Sequence, residues 1–116
     1  MKNFTDYQNE ELDIKLMLDR YGVSPMTKGF DFLAKAIFLY ELEPHRKISD
    51  MYSEIGADDN YNEHTVHNYV DYALNKAQNL CAFINETLGT TYLPYELQNK
   101  KTVKLLVMCR AVLRRK

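Results

Sequence analysis

The sequence predicts an all-helical fold: a compact bundle of about six helices that contains a helix-turn-helix. Apolar residues recur every three to four positions along most of the chain, which is the periodicity of helices that face a core. Four glycines and three prolines are too few for the many tight turns of a β-sandwich or barrel. A length of 116 residues suits one domain. We expect residues 1–9 to form a flexible polar N-terminus and residues 10–116 a single helix-turn-helix domain.

Composition and charge limit the classes of function. The chain is 46% hydrophobic and 27% charged, which is ordinary globular composition. A net charge of −1 gives no overall attraction to nucleic acid or to an acidic membrane. The longest apolar run, residues 105–109, is far shorter than the ~20 residues that cross a bilayer, and the polar start has no signal-peptide pattern. We therefore expect no membrane association and a cytoplasmic location.

The first helix is predicted over about residues 10–21, where apolar side chains recur at helical spacing. Gly22 follows it directly, and glycine is the residue that most readily adopts the left-handed conformation that ends a helix. The first helix is therefore expected to end just before Gly22.

The second helix is predicted over about residues 25–42, with Ser24 as its N-cap and Pro25 at its first position. It ends before Pro44, because the residue that precedes a proline disfavours the helical backbone. Gly29 within this helix costs about 1 kcal/mol relative to alanine, so its presence predicts a close contact with another helix.

A short third helix is predicted over about residues 48–55 and a longer fourth helix over about residues 62–79. Gly56 closes the third helix, and the polar turn after it is rich in Asp and Asn. Asn62 or Asp59 is expected to cap the fourth helix. A short helix, a turn that holds glycine and a longer helix together form the pattern of a helix-turn-helix.

Two more helices complete the prediction. The fifth covers Leu80–Leu88 and is followed by Gly89, another left-handed stop. The last runs from about residue 96 or 101 to residue 115 and is apolar over most of its surface between residues 103 and 113. A helix that is apolar nearly all round is either deeply buried or covered by a partner.

The predicted helix-turn-helix has an unusual charge for a segment with that shape. Residues 48–75 contain no Lys or Arg. Their six acids are Asp50, Glu54, Asp58, Asp59, Glu63 and Asp71. The shape is typical of a DNA-reading element, whereas the charge is not, because neutralising phosphates supplies most non-specific affinity for DNA.

Residues 28–33, with the sequence KGFDFL, are followed by Ala36 and Ile37, and this segment resembles the C-terminal DNA-binding effector domain of the sporulation response regulator Spo-zero-A. The resemblance starts near Ile14 and covers about residues 10–115. It implies an all-helical, six-helix domain of a bacterial transcription regulator, in which the fourth helix lies in the major groove of double-stranded DNA.

The resemblance also implies which side chains face the DNA. They are Asn62, His64, Thr65, His67, Asn68 and Asp71. The arginines that the family has at the matching positions are all absent here. Asn68 can pair with adenine through two hydrogen bonds, and the histidines and Thr65 can bond to bases or phosphates. The chain therefore departs from the family at the positions that read the base sequence.

Positive charge is concentrated at the end of the chain, where residues 100–116 contain no acid. The candidate phosphate contacts there are Lys100, Lys101, Lys104, Arg114 and Arg115. The other interpretation is that these residues serve helix capping and solubility. An alternative function also stays open: an interaction module on the same fold that does not bind DNA and uses its acidic helix-turn-helix face for a basic protein partner or a second copy of the chain.

No residue pattern points to catalysis or to a cofactor. Cys81 and Cys109 lack the spacing of a metal or redox pair and are expected to be reduced core thiols. His64 and His67 lie three positions apart, but no third and fourth ligand accompanies them, so no metal is expected. The glycine-rich phosphate loop and the common hydrolase motifs are missing. We expect a protein that is not an enzyme and has no small-molecule substrate.

Overall fold

Five α-helices and no strand occur in the part of the chain that the computed structural model describes, residues 4–77 and 80–93. The helices are α1 (Phe4–Arg20), α2 (Lys28–Leu42), α3 (Ile48–Ala57), α4 (Glu63–Asn75) and α5 (Leu80–Leu88). The prediction of an all-helical fold is confirmed for these residues. The predicted last helix, with its basic side chains, lies outside the described residues.

The helix α2 lies at the centre of the fold, because α1, α3 and α4 all pack against it. Its buried residues are Gly29, Phe30, Phe32, Leu33, Ala34, Ala36, Ile37 and Phe38. A helix buried over most of its circumference needs such an apolar sequence. Each large apolar side chain buried here contributes about 1.5–3 kcal/mol relative to exposure.

The helix α1 begins at Phe4 and not near residue 10, as the polar start of the chain had predicted. The reason is Tyr7, which is only 6% exposed and packs edge-on against Phe38 with ring centroids 5.2 Å apart. Burial also raises the pKa of Tyr7 to about 12, with a smaller contribution from the negative charge of Glu11. The described residues of the predicted polar N-terminus are therefore the first turns of a helix.

The connection between α1 and α2 contains one confirmed and one wrong prediction. Gly22 ends α1 with φ at +88°, in the left-handed conformation that was expected. The helix α2 starts at Lys28, however, and not at Pro25. Before it, the carbonyl oxygen of Ser24 accepts hydrogen bonds from the Thr27 amide at 3.1 Å and the Thr27 hydroxyl at 2.7 Å. These bonds form a separate turn, so the N-cap is Thr27 and not Ser24.

The close contact expected at Gly29 is present between α2 and α4. A β-carbon at Gly29 would overlap the backbone oxygen of Tyr69 and would lie 2.9 Å from Cβ of Ala73. The two helices therefore approach each other at a point where only glycine fits.

The helices α3 and α4 pack against each other and are joined by residues 58–62. Gly56 was predicted to close α3, but it lies within that helix. A β-carbon at Gly56 would lie 2.8 Å from Cγ2 of Val66 on α4. The chain reverses further on, at Asn60, where φ is +60°. The carbonyl oxygen of Gly56 accepts the amide of Tyr61 at 2.9 Å and so anchors the turn.

The start of α4 follows the prediction, but its end does not. The side-chain oxygen of Asn62 accepts a hydrogen bond from the amide of Thr65 at 2.9 Å, which confirms Asn62 as the N-cap. The helix ends at Asn75, earlier than the predicted end at residue 79. The bounds of α5 are those predicted, and Gly89 follows it with φ at +69°.

The segment after α5 is fixed to that helix by Asn85. The Asn85 amide nitrogen donates to the backbone oxygen of Tyr92 at 2.8 Å, and the Asn85 side-chain oxygen accepts the backbone amide of Tyr92 at 2.8 Å. The same oxygen accepts the hydroxyl of Thr90 at 2.8 Å, and the half-buried Cys81 thiol donates to the Tyr92 oxygen at 3.4 Å. One amide side chain thus satisfies both backbone groups of a residue outside the helix.

Candidate nucleic-acid interface

The exposed surface of α4 has two sides with different chemistry. One side is turned toward α3 and carries His67 and Asp71; we call it the α3 side. The other side faces the turn that precedes α2 and carries Thr65, Asn68 and Tyr72. The two sides arise from helical phase, because residues three or four positions apart share one side of a helix.

On the α3 side, the side chains are engaged with one another. Nε2 of His67 lies 3.0 Å from Oδ2 of Asp71, one helical turn further on. The His67 ring also lies against Tyr52 of α3, with ring centroids 6.2 Å apart. The imidazole is therefore held between the carboxylate and the phenol ring.

The other side of α4 forms one wall of a groove, which we call the α2–α4 groove, with a volume of about 690 Å³. It is lined by Ser24, Met26, Thr27, Lys28, Thr65, Asn68, Tyr69, Tyr72 and Lys76. This lining combines two cations, three hydroxyl side chains, one amide and two phenol rings, and it contains no carboxylate. Met26 is 91% exposed and Tyr72 is 53% exposed, so part of the groove is an open apolar surface.

Both lysines of the α2–α4 groove lie over aromatic rings. Nζ of Lys28 is 4.5 Å from the ring centroid of Tyr61 and 5.6 Å from that of Tyr69. It also donates a hydrogen bond to the Tyr61 hydroxyl, and this bond raises the pKa of Lys28 above its usual range. Nζ of Lys76 lies 4.5 Å from the ring centroid of Tyr72. The rings thus hold each ammonium group at the wall of the groove.

Three of the six acids in residues 48–75 have structural roles within the helix pair. Glu54 pairs with Arg46, which precedes α3, with Oε1 and Nη2 3.2 Å apart. Asp50 lies in the first turn of α3 and Glu63 in the first turn of α4, where a negative charge stabilises the partial positive charge of the helix start. Much of the negative charge in this segment therefore belongs to the helix pair itself.

The six residues predicted to face DNA are divided by the structure. Thr65 and Asn68 come together in the α2–α4 groove, while His67 and Asp71 pair on the α3 side. The side-chain oxygen of Asn62 caps α4, and His64 is exposed. The predicted phosphate contacts lie outside the described residues; they are Lys100, Lys101, Lys104, Arg114 and Arg115.

Sequence reasoning missed the two lysines of the groove. The sequence indicated Lys28 only as part of the KGFDFL segment and gave it no binding role. Its partner Tyr61 is 33 positions away along the chain. Lys76 follows Tyr72 by four positions on the same side of α4, so helical spacing was a signal for that pair.

Metal-binding and membrane-spanning features can be assessed only for residues 4–77 and 80–93. In that part, no group of three or more His, Cys, Asp or Glu side chains is placed to hold a metal ion. Nor does any helix there have the length and apolar character needed to cross a membrane. Comparisons of the whole chain with protein families, with curated proteins and with solved structures give no match.

Proposed function

We propose that this protein is a DNA-binding transcription regulator domain similar to the Spo-zero-A effector domain, in which α3 and α4 form a helix-turn-helix and α4 reads the major groove. One observation carries the proposal. Thr65 and Asn68 lie side by side on the exposed surface of α4, in a groove that contains two lysines and no carboxylate. Base-reading groups and phosphate-binding groups are thus adjacent, as a DNA-reading helix requires.

The chemistry of these two residues suits base edges. The Asn68 amide has a donor and an acceptor, which match the N7 acceptor and N6 donor of adenine in the major groove. Thr65 lies in the first turn of α4, and its hydroxyl donates to the Asn62 oxygen at 3.1 Å. The hydroxyl oxygen of Thr65 then remains free to accept a hydrogen bond, and the methyl group of Thr65 can contact a thymine methyl. Recognition helices read DNA largely with their N-terminal residues, where Thr65 lies, and Asn68 follows it by three positions on the same side of α4.

The acid-rich sequence around α4 is compatible with this proposal because local charge decides the contact. At physiological salt, exposed charges separated by more than about 8 Å are largely screened from each other. A phosphate in the α2–α4 groove would meet Lys28 and Lys76 at close range. The carboxylate of Asp71 lies on the α3 side, and that of Glu54 is paired with Arg46. Asp59 does not line the α2–α4 groove, but it lines a neighbouring pocket together with Lys28 and offsets part of that lysine's charge.

The decisive measurement is binding of the whole chain to duplex DNA of mixed sequence at ~50 mM salt, followed by fluorescence anisotropy. We expect binding that weakens steadily as the salt concentration rises. No detectable binding at that salt would overturn the proposal.

Sequence reading by α4 is tested with Asn68→Ala on a selected site. The substitution should reduce discrimination at one base pair by about 1–3 kcal/mol, because it removes a bidentate pairing. Asn75→Ala is the control, since Asn75 is exposed on the same helix but does not line the groove. An unchanged sequence preference in Asn68→Ala would show that α4 does not read bases through this residue.

A second candidate function is a protein-interaction module that binds a basic partner. It is favoured by the exposed carboxylates of Asp50, Asp58 and Asp59 at α3 and the turn after it. The double variant Asp58→Asn with Asp59→Asn separates the two functions. It should strengthen DNA binding by removing repulsion of phosphates, whereas an interaction module would lose affinity for a basic partner.

A further inference from the structure

The α2–α4 groove has the chemistry of a site for a sugar–phosphate chain. Phosphate oxygens are bound mainly by lysine, arginine and hydroxyl side chains, and the groove supplies Lys28, Lys76, Ser24 and Thr27. The sugar is largely apolar, and the exposed thioether of Met26 offers it a contact surface. Charge complementarity therefore favours a polyanion with apolar spacers over a neutral or a cationic partner.

The two lysines are already placed for this role. Each ammonium group is held over a tyrosine ring, Lys28 over Tyr61 and Lys76 over Tyr72, at 4.5 Å in both cases. A long side chain that is held in position loses less freedom when it binds than one that samples many conformations. The rings thus prepare two point charges along one edge of α4.

The opposite edge of α4 offers no comparable site. His67 there is engaged with the Asp71 carboxylate and with the Tyr52 ring. A phosphate on that edge would meet negative charge. The two edges of α4 are therefore unequal toward the two strands of a duplex.

We infer that the sugar–phosphate backbone of one DNA strand lies in the α2–α4 groove, with Lys28 and Lys76 as its phosphate contacts, and that the α3 side of α4 makes no matching contacts to the other strand. The inference rests on the proposed function. It adds the residues that bind phosphate and a one-sided grip, by which we mean phosphate contacts to only one of the two strands. These residues replace, in the described part of the chain, the cations that residues 48–75 lack.

The test measures how affinity for duplex DNA depends on salt in the whole chain and in Lys28→Gln, Lys76→Gln and the double variant. Glutamine keeps most of the side-chain length and removes the charge. Each lost phosphate contact should lower the slope of log affinity against log salt by about 0.9, and the double variant by about 1.8. The loss should be the same for all base sequences, because phosphates carry no sequence information.

Lys35→Gln is the matched control. Lys35 is on α2 like Lys28 but does not line the α2–α4 groove; it lines a second pocket with Glu11 and Asp31, which Lys28 also borders. Its removal should leave the slope unchanged. If the wild-type chain binds duplex DNA and the groove variants keep its slope, the inference is overturned and the proposed function stands. If the wild-type chain does not bind duplex DNA, the proposed function fails first.

Strand selectivity is tested by placing uncharged methylphosphonate links at single positions along each strand of a bound duplex. We expect weaker binding only for links on one strand at one edge of the site. Equal effects on both flanking strands would overturn the one-sided grip. Binding of a single-stranded oligonucleotide as tight as that of the duplex, and equally weakened by Lys28→Gln, would overturn the duplex assignment of the groove.

Discussion

Gly29 shows how far a single missing side chain can determine the packing of a small helical protein. At this position α2 and α4 approach so closely that a β-carbon would overlap the backbone oxygen of Tyr69. The helix tolerates the unfavourable propensity of glycine because the contact brings Ala73 and its neighbours into the core. The sequence predicted a close helix contact at Gly29, and the structure identifies α4, at Tyr69 and Ala73, as the helix that makes it.

Gly29→Ala should therefore destabilise the protein, although alanine is the better helix former. Alanine gains about 1 kcal/mol in helix propensity, but the overlap forces α4 to move. We therefore expect the free energy of unfolding to fall by about 2 kcal/mol in total. Urea unfolding followed by circular dichroism measures it. A variant as stable as the wild type would mean that α4 can shift away at little cost in free energy.

Asn62 caps α4, as the sequence predicted, in addition to its predicted place at the DNA-facing end of that helix. Asn62→Ala should lower the free energy of unfolding by about 1 kcal/mol, because the amide of Thr65 loses its acceptor. Asn62→Asp should keep most of the stability, since a carboxylate accepts the same bond and suits the helix start. Equal losses in the two variants, measured by thermal unfolding, would contradict the capping role.

At the scale of elements, three helix ends were predicted correctly from local chemistry, whereas the Ser24–Pro25 start of α2 and the Gly56 end of α3 were not. Gly22, Gly89 and Asn62 act through their own backbone or side chain, so the sequence indicated them correctly. The start of α1 depends on the contact of Tyr7 with Phe38, which no local pattern contains.

The candidate site follows the same division. Helical phase was enough to place Thr65 and Asn68 on the exposed surface of α4. The four-residue spacing of His67 and Asp71 also allowed their pairing, but no local pattern brings Lys28 against Tyr61, which is 33 positions away. Lys28 therefore joined the candidate site only once α2 and α4 were packed together, whereas the four-residue spacing of Tyr72 and Lys76 was present in the sequence.

The Asn85 contact makes the segment after α5 part of the fold. Asn85→Ala removes the acceptor of the Tyr92 amide and one of the two donors to the Tyr92 oxygen, and it should cost about 1–3 kcal/mol. Asn85→Asp should be at least as harmful, because it places a carboxylate oxygen against the Tyr92 carbonyl. Hydrogen exchange of the Tyr92 amide reports the effect directly. Unchanged protection in Asn85→Ala would contradict it.

At the scale of the whole molecule, the distribution of charge matters more than its sum. The net charge is only −1, but the charges are unevenly distributed: the α2–α4 groove has two lysines, and the turn beside it has two exposed aspartates. Opposite charges kept apart in this way orient a charged partner before contact, which affects association rates more than affinity.

Stability at alkaline pH should report the burial of Tyr7. Its pKa rises from an ordinary value of about 10 in the unfolded chain to about 12 in the fold. The stabilisation is thus fully present below pH 10 and is lost as the pH rises toward 12, because the unfolded chain releases this proton first. Urea unfolding at pH 8 and pH 11 should show that the free energy of unfolding falls less between these pH values in Tyr7→Phe than in the wild type. The same loss in both proteins would assign the alkaline dependence to other groups.

The contact at Gly29 also makes α2 and α4 one mechanical unit. Because no side chain separates the two backbones at that point, α4 can neither roll nor slide unless α2 moves with it. The position of α2 is in turn fixed by α1 and α3. A partner that docks on α4 then meets two helices already in their final places, and association orders neither of them. The heat-capacity change on binding should contain no contribution from folding of α2 or α4.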